Sequence, residues 1–422
     1  MTGRTLRDVA DKLFNGELST SQLSPVGLYL GLEEMAPGLA FIATFGNVTA
    51  VATGEGLVLI DTASPFAADG ARAALRGWSS APVHTVIYTH GHIDHVGGVD
   101  RFEAEARPPG TPPLRVVAHA AVSARFARYR RTAEYNARIN ARQFRVPGLV
   151  WPTRYREPDV TLTDRLTLTI GDERLELHHD RGETDDHVWV FLPQRRALVS
   201  GDLFIWAAPN CGNPQKVQRY PGEQAAALRK MAALAPTLLL PGHGPPIEGE
   251  GRVTQALVDT AQLLETLEEQ TIALLNAGAT LDAILAEVRA PAALLERPYL
   301  RPVYDEPEFV VRNLVRQYAG WWDGNPARLK PPRDAALADE VAALAGGADK
   351  LAARASTLAA SGEAALACQL VEWAVQAAPA DPAIRALRAE IYRRRSAGET
   401  SLMARSLFTA AAEDDPLAAK TP

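Results

Sequence analysis

Residues 90–95 read His-Gly-His-Ile-Asp-His, and this run constrains the fold more than any other part of the 422-residue chain. It follows Val83–Tyr88, a β-branched apolar stretch that predicts a buried strand. Imidazole nitrogens and carboxylate oxygens are ligands for Zn²⁺, Fe or Mn. The alternative is an exposed loop that carries histidines by chance. Three of the nine histidines of the chain fall within these six residues, which favours a metal site.

The spacing of the run predicts two ions. Alternation in an extended loop puts His90 and His92 on one side of the backbone. Asp94 and His95 fall on a following turn, where they can face a second ion. Gly97-Gly98 then lets the backbone turn tightly beneath the ions.

Composition excludes several classes of protein. Apolar residues make up 47% and charged residues 22%, as is ordinary for globular proteins. The net charge of −6 gives no sign of nucleic-acid binding. Cys211 and Cys368 are too few for a zinc cluster or a disulfide framework and fit a reducing compartment. No apolar run approaches about 20 residues and no secretory signal stands at Met1, so we expect a cytoplasmic protein without a membrane span.

Up to about residue 250, strand and helix patterns alternate, which indicates an α/β domain. Leu162–Leu177 alternates apolar and polar residues around Gly171-Asp172, a pattern typical of a hairpin. Val122–Gln143 predicts one long basic helix, with Arg125 near its start, that either lines the mouth of a site or is simply solvated. The other predicted elements are the strands Leu39–Ala43, Val48–Ala52, Leu57–Ile60, Leu114–Ala118, Val188–Leu192, Ala197–Ser200 and Thr237–Leu240 and the helices Ala67–Trp78 and Ala225–Ala235.

Beyond residue 253 the pattern is helical throughout. The last three predicted helices resemble tetratricopeptide-like hairpins but are too few for a repeat array. We therefore divide the chain into residues 1–252, a helical domain over 253–412 and a loose tail over 413–422. The predicted helices are Gln255–Leu275, Leu281–Val288, Glu308–Tyr318, Asp334–Leu344, Ala348–Ser361, Glu363–Ala378 and Pro382–Ser396.

The segment Thr89–Gly98 matches the His-x-His-x-Asp-His signature of the metallo-β-lactamase superfamily, which this sequence resembles. The resemblance implies an αββα sandwich over residues 1–252 and three further ligands from later strand ends. The candidates are Glu183 in Arg-Gly-Glu-Thr, Asp202 in Ser-Gly-Asp and His243 in Pro-Gly-His-Gly. It also implies that Asp61 orients a ligand histidine. For Glu183 the alternative ligands are His187, Asp185 and Asp186.

Glutamate at position 183 resembles the alkylsulfatase branch, since most of the superfamily has histidine there. Tyr318-Ala-Gly-Trp-Trp-Asp-Gly-Asn-Pro-Ala-Arg-Leu resembles a motif of that branch, and Met403-Ala-Arg-Ser-Leu-Phe resembles the end of its dimerisation domain. The resemblance implies a homodimer built through residues 253–412. It also implies a sulfate contact at Arg312, for which a salt bridge is the alternative, with Tyr318 on the same helix.

Four features depart from the alkylsulfatase pattern. Asp202 stands where those enzymes have glutamate, and Pro209-Asn210 replaces a His-Asn pair. Their Thr-Leu-Arg-Gly element is replaced by Asn213–Arg219, and we expect no sterol-carrier-like domain after the helices. The residues that we expect to hold the oxyanion are Asn210, Lys216 and Arg219.

The resemblance implies a binuclear hydrolase with two Zn²⁺ per chain, for which Fe or Mn are the alternatives. The first ion is expected on His90, His92 and Glu183, and the second on Asp94, His95 and His243, with Asp202 between them. The two ions would acidify a bridging water to a pKa of about 7, giving a hydroxide that attacks an alkyl sulfate. Asp94 and Asp202 are the expected catalytic carboxylates, and the glutamate ligand should lower the Lewis acidity of the first ion.

Other interpretations of the same site stay open. A lactonase, thioesterase, phosphodiesterase or β-lactamase is consistent with the same ligands, because fold alone does not choose among them. An iron redox enzyme or a non-catalytic scaffold are rivals from other classes. In each hydrolase interpretation the partner is a small-molecule ester or amide, and the anionic sulfate ester is the preferred one.

Overall fold

The computed structural model describes residues 5–24, 31–105 and 109–414. Two compact units form: residues 1–133 with 151–321, and residues 134–150 with 322–422. The domain boundary near residue 252 stays a prediction. The predicted tail falls mostly on residues 415–422, and the N-terminal prediction rests partly on residues 1–4. Both stretches lie outside the described residues.

The first sheet holds seven strands in sequence order. The strands β1 to β4 pair antiparallel, and β4 to β7 pair parallel, so the carboxyl ends of β4 and β5 meet at one edge. These strands are β1 (Gly31–Ala36), β2 (Leu39–Ala43), β3 (Val48–Thr53), β4 (Gly56–Ile60), β5 (Val83–Ile87), β6 (Arg115–His119) and β7 (Val160–Leu162).

The second sheet holds six strands in the order β13-β12-β11-β10-β9-β8. The predicted hairpin around Gly171-Asp172 is confirmed as β8 and β9, and the parallel pair β11–β12 brings two more strand ends to one edge. These strands are β8 (Arg165–Ile170), β9 (Glu173–His179), β10 (Val188–Leu192), β11 (Ala197–Ile205), β12 (Leu238–His243) and β13 (Ile247–Glu248).

Alternating side chains build three apolar layers in the first unit. Between the sheets, Phe41 and Ile87 of the first meet Val190 and Leu240 of the second. The other face of the first sheet packs on helices through residues such as Leu75, Phe102 and Phe126. The other face of the second sheet packs on helices through residues such as Leu228, Leu257 and Leu314. This layering is the predicted αββα sandwich, and a helical region follows it along the chain.

The helices alternate with the strands up to β13 and then follow one another. None of them, over the described residues, is long and apolar enough to cross a membrane. They are α1 (Leu6–Phe14), α2 (Ala68–Trp78), α3 (Ile93–Val96), α4 (Val99–Glu103), α5 (Ala121–Arg131), α6 (Ala133–Phe144), α7 (Pro221–Ala233), α8 (Glu250–Asn276), α9 (Leu281–Glu287), α10 (Ala292–Leu295), α11 (Pro307–Ala319), α12 (Asp334–Ala345), α13 (Ala348–Ala360), α14 (Ala364–Ala377), α15 (Pro382–Ala397) and α16 (Leu402–Glu413).

The basic stretch predicted as one helix is two helices, α5 and α6. Thr132 leaves the helical conformation, with φ −119° and ψ 28°, and its hydroxyl donates to the Arg128 carbonyl. A β-branched residue whose side chain competes for a backbone carbonyl weakens a helix at this point. The prediction of a single helix was therefore wrong at Thr132.

The second unit has a helical core of small and branched residues. Leu351 and Ala352 of α13 pack with Ala374 and Val375 of α14, and Ile384 of α15 completes this cluster. Small residues at helical spacing let the helices approach closely, which explains the alanine-rich pattern of the sequence.

Candidate metal centre

The run His90–His95 begins just beyond β5. The neighbouring strand β4 leads directly into Asp61, which contacts this run. Asp61 follows β4 with φ 63°, a left-handed conformation that costs energy in a residue other than glycine. Its Oδ1 accepts a hydrogen bond from the Thr89 backbone N–H at 2.7 Å, and its Oδ2 lies 2.7 Å from His95 Nδ1. Asp61 therefore holds one side of the His95 ring and directs Nε2 away from itself.

His90, His92, Glu183 and Asp202 form a first donor group, in which one ligand atom from each lies within 4.8 Å of the others. His90 Nε2 is 2.8 Å from His92 Nδ1, and His92 Nδ1 is 3.5 Å from Glu183 Oε1. Two imidazole nitrogens that face each other repel unless a proton or a cation lies between them. The arrangement suits a cation.

Asp94, His95 and His243 form a second donor group under the same criterion. His243 Nε2 lies 3.3 Å from Asp94 Oδ2 and 3.4 Å from Asp202 Oδ2, and His95 Nε2 lies 3.3 Å from Asp202 Oδ1. Because His90 Nε2 is also 3.8 Å from Asp202 Oδ2, the Asp202 carboxylate stands between the two groups.

Gly242 makes room for Asp202. It precedes His243 at the end of β12, which pairs parallel to the strand that carries Asp202. A Cβ built on Gly242 would lie 2.0 Å from Asp202 Oδ1. The glycine of the Pro-Gly-His-Gly segment is thus required by close packing against the shared carboxylate.

Four buried nitrogen or oxygen atoms of the ligand residues have no hydrogen-bond partner among the described residues. They are His95 Nε2, Glu183 Oε2, Asp202 Oδ1 and His243 Nδ1. Leaving such atoms unpaired inside a protein costs about 1–3 kcal/mol each, so a cluster of them points to a missing partner. Imidazole and carboxylate donors together suit divalent zinc, iron or manganese, and the residues therefore fit the ions that the sequence implies.

The charges of the cluster agree with a cation site. Burial lowers the pKa of His90 and His92 well below the usual range, which favours the neutral form that binds metals. Burial also opposes charge on His243, but the Asp202 and Asp94 carboxylates outweigh it and raise the pKa of His243 to about 10. Burial raises the pKa of Glu183 to about 8 against the pull of Arg219. A divalent cation would balance this local excess of carboxylates.

Two of the predicted oxyanion contacts lie against Glu183. Asn210 Nδ2 donates to Glu183 Oε1 at 2.5 Å, and Arg219 Nη1 is 2.6 Å from the same oxygen. Arg219 Nη1 also donates to the Glu183 carbonyl at 2.7 Å. The structure therefore brings both residues to the cluster, behind one of its carboxylates.

Lys216, the third predicted oxyanion contact, is half-buried near the cluster. Its Nζ lies 5.9 Å from the centre of the Trp151 ring. Burial, with a contribution from the Arg219 charge, lowers the pKa of Lys216 to about 7, although Asp94 and Glu183 act in the opposite direction. Its amine is thus within electrostatic reach of both donor groups.

Arg312 and Tyr318 are not brought to the donor groups. Both lie on α11 and are exposed. Arg312 Nη2 pairs with Glu308 Oε1 at 2.8 Å, one helical turn away. The Tyr318 hydroxyl donates to Glu268 Oε1 at 2.6 Å. The salt bridge that was the alternative for Arg312 is present, and a sulfate contact by either residue stays a prediction.

The alternative ligands for the Glu183 position have other partners. His187 Nε2 accepts a hydrogen bond from the Asp202 backbone N–H at 3.0 Å, so it does not face the cluster with a free nitrogen there. Asp185 and Asp186 both pair with Arg125, whose side chain is 2% exposed. Arg125 is therefore buried and does not line a solvated face.

Asp186 braces the metal-loop backbone, a role that sequence reasoning missed. Its Oδ2 accepts hydrogen bonds from Arg125 Nε at 2.8 Å and from the Gly91 backbone N–H at 3.0 Å. A Cβ on Gly91 would lie 2.9 Å from Arg125 Cδ. The glycine between His90 and His92 was the available signal, since it indicates a close approach by another group.

Tyr304 is a second residue that sequence reasoning missed. It is buried, and burial together with the charges of Glu183 and Asp94 raises the pKa of its phenol well above the usual range. The neighbouring Asp305 accepts hydrogen bonds from the Gly212 and Asn213 backbone N–H groups at 2.6 and 3.1 Å. Tyr304 is thus within electrostatic reach of the cluster although it lies about 120 residues downstream of Glu183 in the chain. No motif in the sequence around it indicates this position.

Comparison with known proteins agrees with this geometry. A metallo-beta-lactamase superfamily model matches residues 42–243, and an alkyl sulfatase dimerisation model matches residues 280–415. A linear primary-alkylsulfatase from a Pseudomonas species is 27% identical over 81% of this chain and 68% of its own length. An (R)-specific secondary-alkylsulfatase from Pseudomonas is 28% identical over 91% of this chain and 62% of its own length.

A solved structure supports the same relationship. The stereoselective inverting sec-alkylsulfatase Pisa1 from Pseudomonas superposes with a TM-score of 0.80 at 26% identity, over 91% of this chain and 65% of that one. The chain thus spans about two thirds of the length of the relatives it matches. The fold, the gathered donors and these relatives support a metal-dependent hydrolase. The chain matches the metallo-β-lactamase superfamily over residues 42–243 and resembles the alkylsulfatase branch of that superfamily over most of its length.

Proposed function

We propose that this protein hydrolyses alkyl sulfate esters with two divalent cations, and that zinc is the native metal. The observation that carries the proposal is the position of Asp202 between two histidine–carboxylate groups. A shared carboxylate is what a binuclear hydrolase needs to hold two ions within reach of one substrate. The similarity to alkylsulfatases supports the choice of ester.

The proposed ligands fall into two sets that follow the two donor groups of the structure. His90, His92 and Glu183 would hold the first ion, Asp94, His95 and His243 the second, and Asp202 would contact both. When bound, the ions would supply Lewis acidity toward the ester and would make a water molecule easier to deprotonate. Asp94 and Asp202 would help to hold the ions, whose positive charge would attract the sulfate oxygens of the substrate.

Lys216 is the proposed contact for the anionic group of the substrate. The amine lies close enough to both donor groups for Asp94 and Glu183 to act on its pKa, and its ammonium would attract a sulfate. Asn210 and Arg219 already donate to Glu183, so their contact with a substrate would need a change of partner. Tyr304 is a further proposed neighbour of the substrate, because its phenol is close to the Glu183 and Asp94 charges.

Metal analysis followed by a substrate panel tests the proposal. Protein loaded separately with Zn²⁺, Fe²⁺ or Mn²⁺ would be analysed by mass spectrometry and assayed on an alkyl sulfate, a lactone, a thioester and a phosphate diester. We expect two ions per chain and turnover of the sulfate ester above all others. Turnover of the lactone, thioester or diester alone would assign a different hydrolase activity, and absence of bound metal would overturn the site.

We also propose that the protein is a homodimer and that it acts in the cytoplasm. The match of residues 280–415 to an alkyl sulfatase dimerisation model supports the first part. Light scattering coupled to size-exclusion chromatography should give about twice the 45.4 kDa mass of one chain. A monomer at micromolar concentration would contradict it.

A further inference from the structure

We infer that Arg219 is a positioning residue that makes Glu183 the electrostatic equivalent of a histidine ligand. The inference rests on the proposed two-metal function and deepens it. It also replaces the expectation that Arg219 holds the substrate oxyanion.

Arg219 and Glu183 form a buried ion pair, and each side chain is 2% exposed. Arg219 Nη1 reaches both Glu183 Oε1 and the Glu183 carbonyl oxygen, at 2.6 and 2.7 Å. One guanidinium group thus fixes the side chain and the backbone of the same residue. An arginine bound in this way determines the orientation of the carboxylate.

The two oxygens of Glu183 are in different states. Oε1 accepts donors from both Asn210 and Arg219, whereas Oε2 is buried without a hydrogen-bond partner among the described residues. Oε1 also lies 3.5 Å from His92 Nδ1, and the carboxylate lies in one donor group with His90 and His92. The clamp on Oε1 therefore fixes the orientation of the carboxylate toward that group.

The pair also sets the charge that the first ion meets. A carboxylate adds one negative charge where most of the superfamily has a neutral histidine, and the guanidinium at 2.6 Å offsets that charge. In a buried site this compensation is not screened by solvent. The glutamate by itself would lower the Lewis acidity of the first ion, but the Glu183–Arg219 pair presents no net charge, as a histidine would.

A charge-exchange cycle tests the inference. The variants are Glu183→His, Arg219→Met and the double substitution, with Arg219→Lys as the conservative control. Zinc affinity of each is measured by competition with a chromophoric chelator. The melting temperature of the chelator-treated protein reports folding separately from metal binding, and KM on an alkyl sulfate reports substrate contact.

We expect Arg219→Met to act with opposite sign in the two backgrounds. With Glu183 present, Arg219→Met removes a nearby positive charge, which favours zinc, and also the clamp that orients the carboxylate. We expect the loss of orientation to dominate and zinc binding to weaken about ten- to one-hundred-fold. In the Glu183→His background, Arg219 is an unpaired cation beside the metal, so its removal should strengthen binding by a similar factor. Arg219→Lys keeps the charge and should recover most of the affinity.

The same effect of Arg219→Met in both backgrounds would overturn the inference. A change confined to KM would return Arg219 to the role of substrate contact, and a change confined to the melting temperature would make it a structural residue. If Glu183→His does not fold, Glu183→Gln removes the charge without changing the shape and completes the cycle. A wild-type protein that binds no zinc would refute the proposed function instead.

Discussion

The two donor groups of the centre are supported by outer residues of opposite charge. Behind the first group, the Arg219 guanidinium contacts the Glu183 carboxylate. Behind the second, the Asp61 carboxylate contacts the His95 ring. The outer residue differs in charge between the two groups. The cation Arg219 contacts a carboxylate ligand, and the anion Asp61 contacts an imidazole ligand.

This difference shows that charge in the centre is set by pairs of residues rather than by ligands alone. Glu183 gives the first group one more negative charge than a histidine at the same position would. The positive charge of Arg219 offsets that charge when the two residues are counted as a pair. Asp61 conversely makes His95 a more basic ligand. Each ion would have two histidines and one carboxylate besides Asp202, so the outer residues would make the two environments less alike than their ligand sets imply.

The largest effect is expected at Asp202, which belongs to both sides of the comparison. Asp202→Ala removes the carboxylate that lies within 3.8 Å of His90 and 3.4 Å or less of His95 and His243. We expect loss of at least one ion and of measurable turnover, because Asp202 is the carboxylate that lies between the two sides. Metal analysis and the alkyl sulfate assay check this. Asp100→Ala, at an exposed carboxylate of α4, is the matched control, and full activity of D202A with two bound ions would refute the shared role.

Asp61→Asn should weaken the second side more than the first, because Asp61 contacts His95 directly and reaches His90 only through the Thr89 hydroxyl. The amide keeps an oxygen for the Thr89 backbone N–H, and asparagine tolerates the left-handed conformation at φ 63°, but His95 loses its anionic support. We expect about ten- to one-hundred-fold weaker binding of one ion and a smaller change for the other. Stepwise chelator titration measures the two separately. Asp69→Asn, at an exposed residue paired with Arg101, is the control. Equal weakening of both ions would remove the distinction between the sides.

Gly91→Ala tests the brace that Asp186 gives to the first side. The added Cβ would lie 2.9 Å from Arg125 Cδ and 3.0 Å from Asp186 Oδ2, inside a buried ion pair. We expect the free energy of unfolding to fall by about 1–3 kcal/mol, as for overpacking elsewhere. Gly77→Ala in α2, with open space around the glycine, should instead be neutral or stabilising. Urea denaturation of both metal-free variants compares them, and equal midpoints would argue against the brace.

The smallest effect is expected from the pH dependence of substrate binding at Lys216. Its pKa of about 7 means that the amine is charged below that pH and neutral above it. KM for an alkyl sulfate should therefore rise about ten-fold as the pH passes from about 6 to about 8, which corresponds to about 1.4 kcal/mol. Lys216→Met should show the high KM at both pH values, and Lys216→Arg the low one. A wild-type KM that does not change between these pH values would contradict a contact between Lys216 and the substrate.

Short motifs indicated the residues that the structure gathers into two donor groups, because these residues lie in or just beyond strands whose sequence pattern is clear. The αββα layering was predictable from the same strands and from the resemblance. The Asp61 support followed from the resemblance too, but the Arg219 and Asp186 supports did not. Arg219 meets Glu183 across 36 residues and Asp186 meets Gly91 across 95, and neither pair leaves a local pattern. Thr132 divided a helix whose basic periodicity continues across it. Contacts between residues that are distant in the sequence leave no local pattern and therefore could not be predicted.

Gly242 has a consequence for how this centre tolerates change. Its backbone conformation is one that any residue can adopt, so an alanine there would not disturb the turn itself. The obstruction comes from the oxygen 2.0 Å from the place of the missing methyl group. In a library randomised at this codon and selected for turnover, we expect glycine alone to survive, while variants screened only for soluble expression should include other small residues.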